Sequence, residues 1–120
     1  MIIAVTSMGT DLDSEVDPRF GRARYFVVLD TDTDRVSVHD NLQNLNAPQG
    51  AGIQAARNVK GLKVEQLITG NIGPKAFDVL RAGGIEIFIG AGGTVREAVD
   101  RWKEGKLTRA GGANVSGHWA

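Results

Sequence analysis

A short unit occurs twice in this chain at a spacing of twenty residues: Leu67-Ile68-Thr69-Gly70-Asn71-Ile72-Gly73 and Ile87-Phe88-Ile89-Gly90-Ala91-Gly92-Gly93. Each copy is an apolar run, a glycine-bounded turn and the start of a helix. After the first, Pro74 suits the opening helical position, where its missing N–H costs nothing, and Ala76, Phe77 and Leu80 form a buried stripe. After the second, Val95, Ala98, Val99 and Trp102 follow the i, i+3, i+4, i+7 pattern of an amphipathic helix. Thr94 and Glu97 form a capping box at its start. Strand and helix in alternation imply parallel strands joined by right-handed crossovers. Ligands of such sheets bind beyond the carboxyl ends of the strands. Both glycine turns therefore belong to one edge, together with the loop after Thr6.

The first half reads differently. Met1 to Thr6 is a short buried strand, and residues 7–18 are a polar, acidic loop. Tyr25-Phe26-Val27-Val28-Leu29 is a β-rich run; the aspartate-rich turn at 30–34 leads to Val36 and Val38 in alternation with polar residues, a hairpin. Asp40 to Gln49 is a polar loop. A helix begins near Gly50, with Ile53, Ala56 and Val59 on one face. The hairpin lets Tyr25–Leu29 run against the other strands, which brings the loop before it to the same edge as the glycine turns. The reading is one α/β domain over residues 1–107, a mixed sheet with helices on both faces, and a glycine-rich tail over 108–120.

Composition narrows the function. The 120 residues suit one domain, and 42% hydrophobic residues supply a core. Fourteen basic residues balance fourteen acidic ones, which argues against general binding of nucleic acid or anionic membranes. The absence of cysteine removes disulfides, thiolate metal sites and cysteine nucleophiles together. No apolar run approaches a membrane span, and Met1-Ile2-Ile3 opens no signal segment, so a cytoplasmic protein is expected.

The chemistry concentrates on Asp17-Pro18-Arg19-Phe20-Gly21-Arg22-Ala23-Arg24. Arg19, Arg22 and Arg24 either present charge to an anion or pair with Asp11, Asp13 and Asp17. Phe20 is either an apolar wall for a ligand or a core anchor. The turns Gly70–Gly73 and Gly90–Gly93 offer N–H donors at helix N-termini, or serve only the turns themselves; Lys75 adds charge or is solvated. Gly50-Ala51-Gly52 formally opens a dinucleotide fingerprint, but a polar loop and not a strand precedes it. Asp30, Asp32 and Asp34 begin like a calcium loop, yet Arg35 holds the glycine position, so a hairpin turn is expected. His39 reads as structural, and His118 either lies over the rim or packs. No residue set suggests a hydrolytic triad, a paired-carboxylate site or protein-ligated metal.

Taken in order, Met1–Thr6, Phe20–Phe26, Gln49–Gly52, Thr69–Ala76 and Gly90–Val95 resemble the dinitrogenase iron–molybdenum cofactor biosynthesis family over nearly the whole chain. Asp17–Arg22 and Ala113–Trp119 look most like its branch of orange proteins, which bind a molybdenum–copper sulfide cluster without covalent ligation. The resemblance implies a ribonuclease-H-like three-layer α/β/α fold, a five-stranded sheet with one antiparallel strand, and a cluster carrier rather than an enzyme. Gln49 stands where many relatives have histidine, which argues against direct ligation there. A sulfide-capped anion needs positive charge, N–H donors and apolar walls. The implied cluster-binding set is Arg19, Phe20, Arg22, Gln49, Gly50, Asn71, Ile72, Gly73, Lys75, Gly92, Gly93, Thr94 and His118. Protein partners are compatible with this reading. Two alternatives stay open: a carrier of an iron–molybdenum cofactor or its precursor, and an enzyme or module for a phosphate compound.

Overall fold

The computed structural model describes residues 1–41 and 50–116. In chain order its elements are β1 Ile2–Ser7, β2 Tyr25–Asp30, β3 Val36–Asp40, α1 Ala51–Gly61, β4 Gln66–Ile68, α2 Pro74–Ala82, β5 Glu86–Ile89, α3 Val95–Lys103 and β6 Thr108–Arg109. The strands form one sheet in the order β3-β2-β1-β4-β5-β6. β1, β4 and β5 are mutually parallel, and β2 runs against β1 with Ile2 opposite Asp30 and Ser7 opposite Tyr25. β2 therefore starts at the edge where β1 ends, as the hairpin argument required. β3 runs against β2 and ends at that same edge.

The sheet corrects the expectation of five strands with one reversed. It has six among the described residues, and β6 is a second reversed strand. β6 is two exposed residues long, too short to show an apolar period and placed in what reads as a polar tail. It is held by what surrounds it: the Ala110 N–H donates to the Ile87 carbonyl at 2.8 Å, and Arg109 pairs with Glu86 at 2.9 Å.

The strand period of two divides the interior into two cores. Ala4, Phe26, Val28 and Leu67 face α1 and α2, where they meet Ala56, Val59, Phe77 and Leu80. Ile3, Val5, Val27 and Ile68 face α3 and its Val95, Ala98 and Val99. This is a three-layer arrangement with two helices on one face and one on the other. The helices lie so because each must bury one apolar stripe and the sheet offers two apolar faces.

All three helices start at the edge where β1, β4 and β5 end. α1 and α2 lie side by side there, and the approach is close: a Cβ on Gly52 would sit 3.3 Å from the Ala76 Cβ. The helix starts differ in how they are closed. Thr94 caps α3 in a reciprocal box, its Oγ1 accepting the Glu97 N–H at 3.1 Å while Glu97 Oε1 accepts the Thr94 N–H at 3.0 Å. Those bonds hold the Glu97 carboxyl below its ordinary value of 4.5, so its contribution is present above that pH and fades as pH falls through the lowered value. We expect Thr94→Ala to lower stability by about 1 kcal/mol in urea denaturation, with the deficit shrinking in acid.

Candidate functional site

The rim at this edge is built on the loop of residues 8–24, which joins β1 to β2. Four sets of contacts fix it. The Thr6 hydroxyl donates to the Asp17 carbonyl at 2.8 Å; since a carbonyl only accepts, Thr6 must in turn accept from Thr69, whose hydroxyl lies 2.9 Å away. Both threonines are fully buried. The Asp17 carboxylate accepts the backbone N–H groups of Arg19, at 3.1 Å, and of Arg24. It thereby closes the segment that displays Arg19, Arg22 and Arg24. Asn41 ties the end of β3 to the same segment: its backbone N–H donates to the Arg24 carbonyl at 3.0 Å and its Nδ2 to the Ala23 carbonyl at 2.9 Å.

The fourth set joins the loop to the first glycine turn. The Asn71 N–H donates to the Pro18 carbonyl at 2.8 Å, and the Phe20 N–H donates to the Asn71 carbonyl at 3.2 Å. Asn71 Nδ2 reaches the same Pro18 carbonyl at 3.1 Å. Arg19 thus sits between two backbone anchors. Gly70 makes the approach possible, for a Cβ there would lie 2.7 Å from the Pro18 Cα and 2.8 Å from its carbonyl oxygen. Phe20 inserts behind the loop, fully buried, with its ring centroid 6.0 Å from that of Phe26. Ile72 is also fully buried. Of the two roles open to Phe20, the structure shows the core anchor.

The three helix N-termini are not equivalent. Loop residues close α3 from outside: its Val95 N–H donates to the Ser14 carbonyl and its Arg96 N–H to the Leu12 carbonyl, both at 2.9 Å. Thr94 spends its N–H and hydroxyl on the capping box. In the second glycine turn, the Gly92 carbonyl accepts from Arg101 and the Gly93 carbonyl from the Val16 N–H. By contrast α1 starts at Gly50 and α2 at Gly73, each, among the described residues, without a side-chain cap and without an acid in its first turn. Unpaired N–H groups and the positive end of the helix dipole make such starts favourable to anions. The two open starts are the two that lie side by side, and α2 carries Lys75 in its first turn, exposed.

The described residues among the expected set therefore gather at one edge: Arg19, Phe20, Arg22, Gly50, Asn71, Ile72, Gly73, Lys75, Gly92, Gly93 and Thr94. Gln49 and His118, with the remainder of the polar loop after Asn41, lie outside the described residues. Asp13 pairs with Arg96 at 3.2 Å, so one of the acids expected beside the arginines turns to α3 instead. Among the described residues no group of three or more His, Cys, Asp or Glu is placed to hold a metal ion, and no helix is long and apolar enough to cross a membrane. Sequence reasoning missed Asp17 as the clamp, Asn41 as the brace and Asn114, which meets the Asn71–Ile72 turn. Their only signal was a polar residue capable of turn bonding beside an apolar run.

Fold and rim together define a small three-layer α/β protein with an arginine loop and two open helix starts at one sheet edge. The chain belongs to the dinitrogenase iron–molybdenum cofactor family, whose sequence pattern matches residues 1–105. It is similar to the apo form of the orange protein from Desulfovibrio gigas, with 42% identity over 95% of this chain and 96% of that one, and a TM-score of 0.86. A Thermotoga protein assigned to NifB and to the DUF35 family is 36% identical over 90% of this chain and 91% of its own, with a TM-score of 0.75. An uncharacterised protein of Methanocaldococcus jannaschii is 26% identical over 99 residues, 81% of this chain and 84% of that protein.

Two outcomes test the anchoring. Burial raises the Asp17 carboxyl above its ordinary 3.8, against the lowering effect of the Arg19 and Arg24 N–H groups. A folded-state value above the unfolded one favours the fold most at low pH, and that contribution declines as pH rises through the raised value. Relative to Asp17→Asn, the parent should lose stability as pH is raised from about 3.8 toward neutrality in urea titrations. Gly70→Ala should destabilise by about 1–3 kcal/mol, because a crowded backbone must move, and should shift the amide resonances of residues 17–21 as well as those around Gly70.

Proposed function

We propose that this chain carries an anionic molybdenum–copper sulfide cluster, held without covalent bonds at the rim. The observation that carries this reading is the pair of uncapped, adjacent helix starts at Gly50 and Gly73 beside the pinned arginine loop. Arg19 and Arg22 supply charge, the N–H groups of Gly73, Lys75, Gly92 and Gly93 supply donors to sulfide, and Phe20 and Ile72 back the site with apolar volume. Gln49 and His118 complete the set. A chain without cysteine suits a cargo whose metals are already ligated by its own sulfides. Copper(I) in such a cargo is satisfied by soft sulfide, and the protein's task is to offset multiple negative charge and exclude water. The same features favour a carrier over a catalyst. The order β3-β2-β1-β4-β5 with β2 reversed supports a ribonuclease-H-like scaffold, with β6 as an addition.

Likeness to the orange protein favours molybdenum and copper as the metals. The family and the NifB-assigned relative favour a second reading, a carrier of an iron–molybdenum cofactor or its precursor. Metal content separates the two.

The test is reconstitution of the apo-protein with copper(I) and tetrathiomolybdate, followed by desalting, visible spectroscopy and metal analysis. Retained colour with both metals is expected. Arg19→Ala/Arg22→Ala should weaken retention at least about tenfold and flatten its dependence on salt. A colourless, metal-free eluate from the parent would overturn the molybdenum–copper reading, and unchanged retention by the double variant would overturn the arginine assignment.

A further inference from the structure

The polar tail, described as far as residue 116, is tied to the domain. At Asn114 it meets the turn between β4 and α2 through four hydrogen bonds. Asn114 Oδ1 accepts the Ile72 N–H at 2.8 Å, and the Asn114 backbone N–H donates to the Ile72 carbonyl at 3.1 Å. The Val115 N–H reaches that carbonyl at 3.4 Å, and Asn114 Nδ2 donates to Asn71 Oδ1 at 3.0 Å. Asn71 Nδ2 then donates to the Pro18 carbonyl at 3.1 Å.

This makes a directed chain of amides: Ile72 N–H to Asn114, Asn114 to Asn71, Asn71 to Pro18. Its ends fix its sense. The Ile72 N–H can only donate and the Pro18 carbonyl can only accept, so each side-chain amide has one orientation that satisfies both neighbours. A carboxylate at 114 would keep the Ile72 bond but oppose an acceptor to Asn71 Oδ1. An alanine would break both links. The chain runs from the turn that opens α2 to the residue before Arg19, and so spans both halves of the rim.

The geometry points to Asn114 as a positioning residue: the tail is a clasp that holds the α2 start and the Arg19 loop in one arrangement, and its closure sets how slowly an anionic cargo leaves. This inference rests on the cluster-carrying reading above. Asn114 need not touch the cargo; it acts through Ile72 and Asn71. Loss of the clasp leaves Asn71 Oδ1 without its partner and loosens the anchors on either side of Arg19, which should appear in the release rate more than in global stability.

The experiment uses the full chain reconstituted with copper(I) and tetrathiomolybdate. Loss of visible colour is followed after dilution into excess chelator. Asn114→Asp, which loses one of the three links, and Asn114→Ala, which loses two, should both release at least about tenfold faster than the parent, the scale of one lost hydrogen bond. Arg109→Ala, which frees the tail from Glu86 without touching the amide chain, should release at the parent rate. Parent-like release by both Asn114 variants would overturn the clasp while leaving the carrying reading intact. If the parent retains no cluster, the carrying reading fails separately. The clasp is then decided on apo-protein by amide exchange at Asn71 and Phe20, whose N–H groups bond to Pro18 and Asn71 and not to Asn114. Faster exchange there in Asn114→Ala upholds the coupling to the loop, and unchanged exchange overturns it.

Discussion

The backbone contact between the first glycine turn and the arginine loop organises the rim. Pro18 packs so closely on Gly70 that no side chain fits between them, and Asn71 exchanges backbone bonds with both neighbours of Arg19. A loop of this length would otherwise keep most of its conformational freedom, and a guanidinium on it would contribute little to binding once ordering had been offset. Pinned as it is, the loop presents Arg19 with its backbone entropy already spent. Thr6, Thr69 and Asp17 extend the anchoring into the interior, where each polar group finds a partner; no buried side-chain nitrogen or oxygen among the described residues lacks one.

The same loop decides which helix ends face outward. Its residues 12–14 supply acceptors to the first turn of α3, so that helix start is satisfied by the protein itself. α1 and α2 receive no such closure from the described residues, and Gly52 against Ala76 brings their starts together. Two partial positive charges side by side repel weakly in water and attract a shared anion more strongly than either does alone. The sheet topology is the reason they coincide: every helix starts at the edge where β1, β4 and β5 end, and reversed β2 returns the arginine loop to that edge.

Much of this was legible in the residues. The twenty-residue repeat gave the parallel strands and both glycine turns, because an apolar run ending in glycine and followed by a 3.6-residue stripe has few other uses. The capping box at Thr94 and Glu97 appeared as read. β6 escaped because Thr108 and Arg109 are exposed and carry no periodicity; their pairing depends on Phe88 and Ile89, distant in sequence. The bonds of Asn41, Asn71 and Asn114 escaped for a related reason. An asparagine in a loop signals a turn, and nothing local says which carbonyl it will reach. The inequality of the helix starts was hidden too, since only the folded loop shows that it closes α3 and leaves α1 and α2 without acceptors from its own residues.

The most direct test of the central claim is to map where a sulfide-rich anion touches the chain. Two-dimensional amide NMR of labelled protein, titrated with copper(I) and tetrathiomolybdate, reports on every non-proline residue. The account predicts perturbation centred on residues 19–24, 50–52 and 71–76, while the cleft of about 570 Å³ between β3 and the end of α1, lined by Val36, Ser37, His39 and Leu62, stays unaffected. Perturbation centred on that cleft, or none at the two open helix starts, would contradict it.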